Sequence, residues 1–352
     1  MAPHDQPQEP QAIPPPVALL QLVTGYWVSQ AIYVAAKLGL ADALREGPKR
    51  CDELAQATAT HARSLSRLLR ALASVGVFAE VEPDRFGLTP LAATLQTGVP
   101  GSLRALAIFL GEPEHWRPWG NLLHSVQTGQ TAFDHTFGMR PYEYLAQHPA
   151  AAEIFHGAMT EFTMRATEAI TTAYDFSQFG KLVDVGGGHG ALLTAILKAN
   201  AAMHGVLFDL PAVVAGAPAR IEAAGLAGRY EVLAGDFFES VPSGGDAYLL
   251  KGVIVDWDDA PSVRILTNCY RAMAAQGKLL VVDMVIPPRP APFWGQLADL
   301  EMLVVASGGR ARTEAEFGAL FTAAGFKLTR VVPTGAPLPS DLSFSILEGV
   351  RV

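Results

Sequence analysis

The stretch LVDVGGGHGALLTAIL, residues 182–197, is an apolar strand that runs into a cluster of glycines and then opens a helix. Gly186, Gly187, Gly188 and Gly190 permit backbone conformations, and a close approach by a ligand, that a Cβ would block. Asp209 in GVLFDLP ends the next apolar strand, where a carboxylate can accept both hydroxyl protons of a ribose. Asp236 in LAGDFF ends the third, where it can accept from an adenine amino group while Phe237 packs against the ring. In that order the turn and the two acids describe an adenosine site that makes no demand for pyrophosphate. Helix capping is the plain alternative for both acids.

A fourth strand end, LLKGVIVDWDD at residues 249–259, holds a lysine, a tryptophan and three carboxylates, yet Val255 in its middle cannot take a proton. Asp256 is next to it and is weighed as a proton acceptor, while Asp258 and Asp259 read as caps of the following helix. No pair among the nine histidines has the spacing of a metal site on one helix, so no metal is expected.

Such strand ends need a sheet to align them. After Phe179 short apolar strands alternate with amphipathic helices, which predicts an α/β, Rossmann-like doubly wound sheet, mostly parallel, over residues 179–352. Residues 17–101 read as an all-helical, winged-helix-like unit, with CDELAQAT and ARSLSRLLRALASVGVF as helices and AEVEPDRFGLTPLA as a small wing hairpin. Residues 102–178 continue as helices, and residues 1–16 read as a disordered, proline-rich tail without the pattern of a secretory signal.

With 352 residues, half of them hydrophobic and 17% charged, the composition is that of a globular protein large enough for two domains. The apolar runs are interrupted well short of the roughly 20 residues of a membrane span, so no membrane partner is expected. Arg63, Arg67 and Arg70 lie where a winged helix reads DNA, but a net charge of −8 favours a solvated face, and no nucleic-acid partner is expected. Cys51 and Cys269 are far apart and read as packed thiols in a reducing cytoplasm.

Taken together, VDVGGGHG, FDLP, GDFF, LLKxxxxDWDD, NCYRAM, GKLLVVDMVIP and GGRARTEAEF, preceded by SQAIYVAAKLGLADAL, resemble the small-molecule O-methyltransferases of plant caffeate type and their bacterial natural-product relatives. The resemblance implies S-adenosylmethionine, or its product S-adenosylhomocysteine, as cofactor and a small aromatic or polyketide-type acceptor. It implies a homodimer formed through the N-terminal domain, with residues 102–178 helping to wall the acceptor pocket. Gly186 and Gly188 are expected at the methionine part of the cofactor, and Asp209 and Leu210 at the ribose. Asp236 and Phe237 are expected at the adenine, with Lys251 and Trp257 beside it. Phe155, Met159 and Met302 match acceptor-lining positions, with core packing as the alternative.

The departures concern the base. The resemblance sets a histidine where this chain has Val255, and two glutamates where it has Asp283 and Ala311. Catalytic roles are therefore expected of Asp256 and Asp283. His189, inside the glycine turn, is expected to contact the cofactor carboxylate or water. Of His115, His124, His135 and His156 one could serve as a relocated acid or base, although each reads first as structural. An apolar residue at position 255 also resembles the anthracycline-tailoring branch, which includes a methyltransferase working by proximity and a hydroxylase that keeps the cofactor. Two functions follow: methyl transfer by positioning, or a non-methylating reaction such as hydroxylation, decarboxylation or pericyclic rearrangement.

Overall fold

The computed structural model describes residues 13–287, 295–335 and 344–352. The chain forms two compact units, Met1–Gly111 and Glu112–Val352. Most of the expected tail lies outside the described residues, and helix Pro15–Lys37 begins inside its last part, because proline suits the first turn of a helix, where no N–H is needed.

In the first unit, helices Cys51–Ala57 and Ala62–Ser74 precede a hairpin, as a winged helix requires. Leu65, Leu69 and Leu72 recur at helical spacing and bury against Phe78 and Phe86 of the wing. The unit is not all-helical: β1 (Lys49–Arg50) pairs with β3 (Arg85–Leu88), which pairs with β2 (Phe78–Glu82), giving a small antiparallel sheet. Helix Arg104–Gly111 belongs to this unit and packs on Pro15–Lys37, so the first unit runs past the expected boundary. The 23-residue helix Pro15–Lys37 is by length and composition long and apolar enough to cross a membrane, contrary to the expectation of short apolar runs. It leaves Leu19, Leu22, Val23, Tyr26 and Trp27 exposed.

The second unit is built on β4 (Lys181–Val185), β5 (His204–Asp209), β6 (Tyr230–Ala234), β7 (Ala247–Lys251), β8 (Lys278–Asp283), β9 (Val285–Ile286), β10 (Arg312–Thr313), β11 (Phe326–Pro333) and β12 (Ser345–Arg351). Among the described residues, seven of these strands make one sheet in the order β11-β12-β8-β7-β4-β5-β6, parallel except for β12, which runs against both neighbours. The chain builds outward from β4 through β5 to β6, then returns to β7 and β8. A doubly wound sheet opens its ligand crevice where the order reverses, here between β4 and β7.

Strict alternation sorts the side chains to two faces. Leu182, Leu207, Leu249 and Leu280 pack under helices Pro149–Ala173 and Ala191–Ala199. Val183, Val206, Leu250 and Val281 pack on the opposite face under Asp259–Ala272 and Glu314–Ala323. Their apolar runs are continuous because both faces are covered.

One buried cation fixes the loop after β7. Short β10 pairs with β9 and brings in Arg312, which is 0% exposed. Arg312 donates to the carbonyls of Ile254 at 3.0 Å and Trp257 at 2.8 Å, and to Asp259 Oδ1 at 2.8 Å. A planar guanidinium spans three such acceptors, whereas an ammonium is a point donor. Arg312→Met leaves the two carbonyls without their donor and is expected to cost about 3 kcal/mol. Urea denaturation checks this; an unchanged midpoint would show that the clamp contributes nothing to stability.

Candidate active site

The cofactor crevice starts at the glycine turn. Gly186 has φ 68°, and a Cβ there would come within 2.8 Å of Val253, so both conformation and space demand glycine. The Gly188 N–H donates to Asp209 Oδ2 at 2.8 Å and the Leu210 N–H to Oδ1 at 2.7 Å, which ties the end of β5 to the turn. Burial pushes the Asp209 carboxyl up, against the pull of those two N–H groups. The glycine cradle, the carboxyl at its rim and an aromatic wall fit an adenosine cofactor.

That wall stands on the other side of the crevice. Asp236 Oδ1 accepts the Phe238 N–H at 2.8 Å, and Asn268 donates to the carbonyls of Phe237 and Phe238, so the aromatic pair is held by its backbone. Phe237 meets the Trp257 ring at 6.2 Å and 82°, an edge-on contact. The structure therefore brings Gly186, Asp209, Leu210, Asp236, Phe237 and Trp257 to neighbouring strand ends.

Lys251 departs from its expected place. Alternation along β7 puts it on the Leu249 face, where Nζ donates to Thr163 Oγ1 at 3.0 Å and lies over the rings of Phe162 and Phe344, away from Trp257. Burial brings its pKa down to about 8, while Asp283, Asp184 and Asp256 favour the charged form. Asp184, 2% exposed on the same face, is pushed up to about 7 by burial and by Asp209.

At the acceptor end, Val255 is buried in a 3-10 turn, Ile254–Asp256, and presents no polar side-chain atom. Asp283 accepts the Met284 N–H at 2.9 Å on one oxygen and the Val255 N–H at 3.2 Å on the other. Asp283, expected in a catalytic role, is 1% exposed and bonds backbone N–H groups with both oxygens. Burial pushes it up to about 7, helped by Asp256. Ala311 is buried, and its N–H donates to Asp299 at 2.7 Å.

Asp256 is half-buried, and burial lifts its carboxyl to about 6. Its Oδ2 accepts the Tyr142 hydroxyl at 2.5 Å. Tyr142 stacks on Trp257 at 5.7 Å and 17°, and Phe155 meets its ring edge-on at 6.3 Å. Met159 follows Phe155 by one helical turn, and Met302 lies on helix Gly295–Val305; both are half-buried. The residue before Met302, Glu301, accepts from Trp119 Nε1 at 2.6 Å and bonds His115 Nε2 at 2.6 Å. His189 bonds Thr160 at 3.0 Å beside His156, and burial pulls it down to about 4. His124 and His135 stack on each other at 3.9 Å.

Sequence reasoning missed Tyr142, Arg312, Asn268 and Glu301. Pro141 and Glu143 mark the start of helix Pro141–Gln147, but no local pattern links Tyr142 to a carboxyl 114 positions away. Asp209→Ala removes the rim carboxylate and loosens the glycine turn; S-adenosylmethionine is expected to bind roughly a hundredfold more weakly by calorimetry. Unchanged affinity would mean that the cofactor lies elsewhere.

Comparison with known proteins gives the same reading. Residues 119–327 match the O-methyltransferase domain, and residues 20–98 match the O-methyltransferase dimerisation domain. The phenazine O-methyltransferase PhzM of Lysobacter antibioticus is 49% identical over 327 residues, 93% of this chain and 95% of that protein. The crystal structure of LaPhzM superposes with a TM-score of 0.92 at 47% identity, covering 97% of this chain and 100% of that one. CalO1, a methyltransferase in calicheamicin biosynthesis solved with S-adenosylhomocysteine bound, gives a TM-score of 0.79 at 34% identity, covering 96% and 98%. The non-methylating alternative is set aside, since these relatives are named as methyltransferases. With its O-methyltransferase and dimerisation domains, the chain belongs to the O-methyltransferase family and is an S-adenosylmethionine-dependent methyltransferase of natural-product type.

Proposed function

We propose that the chain methylates a phenolic hydroxyl on a fused-ring aromatic natural product of the phenazine class, with Asp256 taking the proton in place of a histidine. The carrying observation is Asp256 itself, a half-buried carboxyl lifted to about 6 beside an apolar Val255. A base with a pKa near the working pH combines ionisation with proton affinity. The relationship to a phenazine O-methyltransferase at 49% identity supports the acceptor class. Phe155, Met159 and Met302 offer flat rings an apolar, polarizable wall.

When bound, S-adenosylmethionine supplies a sulfonium methyl group that the acceptor oxygen takes with its own electron pair, the C–S pair staying on sulfur. Gly186, Gly188, Asp209 and Leu210 would hold its methionine and ribose parts, and Asp236, Phe237 and Trp257 its adenine. Lys251 balances the carboxyls beneath. The acceptor proton passes to Asp256. Holding two reactants in line supplies rate accelerations of about 10⁵ or more, against ~10²–10⁴ for a general base. Exchanging one base for another therefore leaves most of the acceleration intact. The exposed apolar side chains of Pro15–Lys37 are covered in a homodimer, and the buried thiols Cys51 and Cys269 suit a reducing cytoplasm.

Incubation with S-adenosylmethionine and a monohydroxyphenazine is expected to yield S-adenosylhomocysteine and methylated product in equal amounts, in the native chain and in Val255→His alike. The introduced ring gains little, because Asp283 is committed to backbone and Ala311 offers no acceptor. Product without S-adenosylhomocysteine sinks the proposal; a hundredfold gain in Val255→His shows that a histidine alone was wanting.

A further inference from the structure

The carboxyls at the ends of β7 and β8 differ in what they leave free. Both oxygens of Asp283 accept backbone N–H groups. Asp256 has Oδ2 engaged by Tyr142, and no donor reaches Oδ1 among the described residues. Tyr142 is itself fixed from two further directions, by the parallel ring of Trp257 and the edge of Phe155. Its phenol oxygen cannot leave Asp256 without disturbing that stack. Tyr142 thus touches the carboxyl, the cofactor-side tryptophan and the acceptor-side phenylalanine at once.

We infer that Tyr142 is a positioning residue for proton removal: by occupying Oδ2 it turns Oδ1 of Asp256 to the acceptor hydroxyl and stabilises the carboxylate form. The inference rests on the methyl-transfer reading above. In the step it serves, the O–H bond of the acceptor breaks, its electron pair stays on the acceptor oxygen, and the proton lands on Oδ1. Asp256 passes from carboxylate to neutral carboxyl, while Tyr142 keeps its own proton and its bond to Oδ2. Tyr142 is 37% exposed, yet its hydroxyl points at Asp256, and loss of hydration there, together with Asp256 and Asp209, pushes its pKa well above the ordinary tyrosine value, so it remains a donor.

The groups facing Asp256 set the direction of the test. Tyr142 from helix Pro141–Gln147 and the Lys251 ammonium on β7 favour the carboxylate, whereas burial and the neighbouring Asp283 on β8 oppose it. Removing the Tyr142 hydroxyl deletes a donor to the charged form, so the Asp256 pKa must rise.

Tyr142→Phe keeps the ring and removes only the hydroxyl. In protein labelled with carbon-13 at aspartate carboxyls, the Asp256 signal is identified by its loss in Asp256→Asn. It is expected to titrate about one pH unit higher in Tyr142→Phe than in the native chain. The acid limb of kcat/KM for a monohydroxyphenazine should move by the same amount, a roughly tenfold loss below both pKa values that shrinks as pH rises. Calorimetry with S-adenosylhomocysteine reports whether the variant is folded. An unmoved Asp256 titration, or a loss of kcat/KM equal at every pH, overturns the inference. If the native chain forms no S-adenosylhomocysteine with the phenol, the methyl-transfer reading has failed instead, and the carboxyl titration still decides whether Tyr142 tunes Asp256.

Discussion

Everything at the acceptor end hangs on one loop, residues 254–257, being held from both sides. Arg312 grips the carbonyls of Ile254 and Trp257 from below, and Asp283 takes the Val255 N–H from the adjacent strand. A fourth bond, from the Arg310 N–H to the Val255 carbonyl, closes the set. The loop carries Asp256 and Trp257, so their spacing is set by these bonds. Arg312 is charged and buried, a position that is tolerable only while its carbonyl and carboxylate partners stay in place.

The same bonds explain how position 255 can be aliphatic. A longer acid at 283 would reach past the turn to a side chain; the shorter aspartate stops at the backbone. Next to that aliphatic position stands Asp256, which the loop presents and Tyr142 meets. Polar groups are crowded here, with Asp184, Asp256 and Asp283 near one ammonium, Lys251, and Asp209 acting on Asp184. Burial raises all four carboxyls. Such upward shifts among packed acids are a mark of functional crevices, and only Asp256 stands at the acceptor end of the loop with an oxygen to spare among the described residues.

The fold was largely legible because its signals are local. The glycine turn, the acid after each apolar run and the alternation of strand and helix all lie within a few residues of one another. The third strand of the wing was not, since Lys49–Arg50 is too short to show a period. The side of Lys251 was available from alternation along LLK, where Leu249 and Leu250 point opposite ways, but the role drawn from resemblance displaced it. Residues whose meaning lies in distant partners stayed hidden. Tyr142 looks like any aromatic on a short helix, and Arg312 like a surface cation before a capped helix, until folding brings each to the 254–257 loop.

On the proposed reading an acceptor hydroxyl meets Asp256, the neighbour of Val255, instead of a histidine at position 255. A crystal structure of the chain with S-adenosylhomocysteine and a monohydroxyphenazine tests it most directly. The expected result is a phenol oxygen about 3 Å from Asp256 Oδ1, with the Tyr142 hydroxyl still on Oδ2 and the cofactor sulfur on the far side of that oxygen. A phenol oxygen bonded to His115 or His156, with Asp256 turned away from it, would contradict the claim.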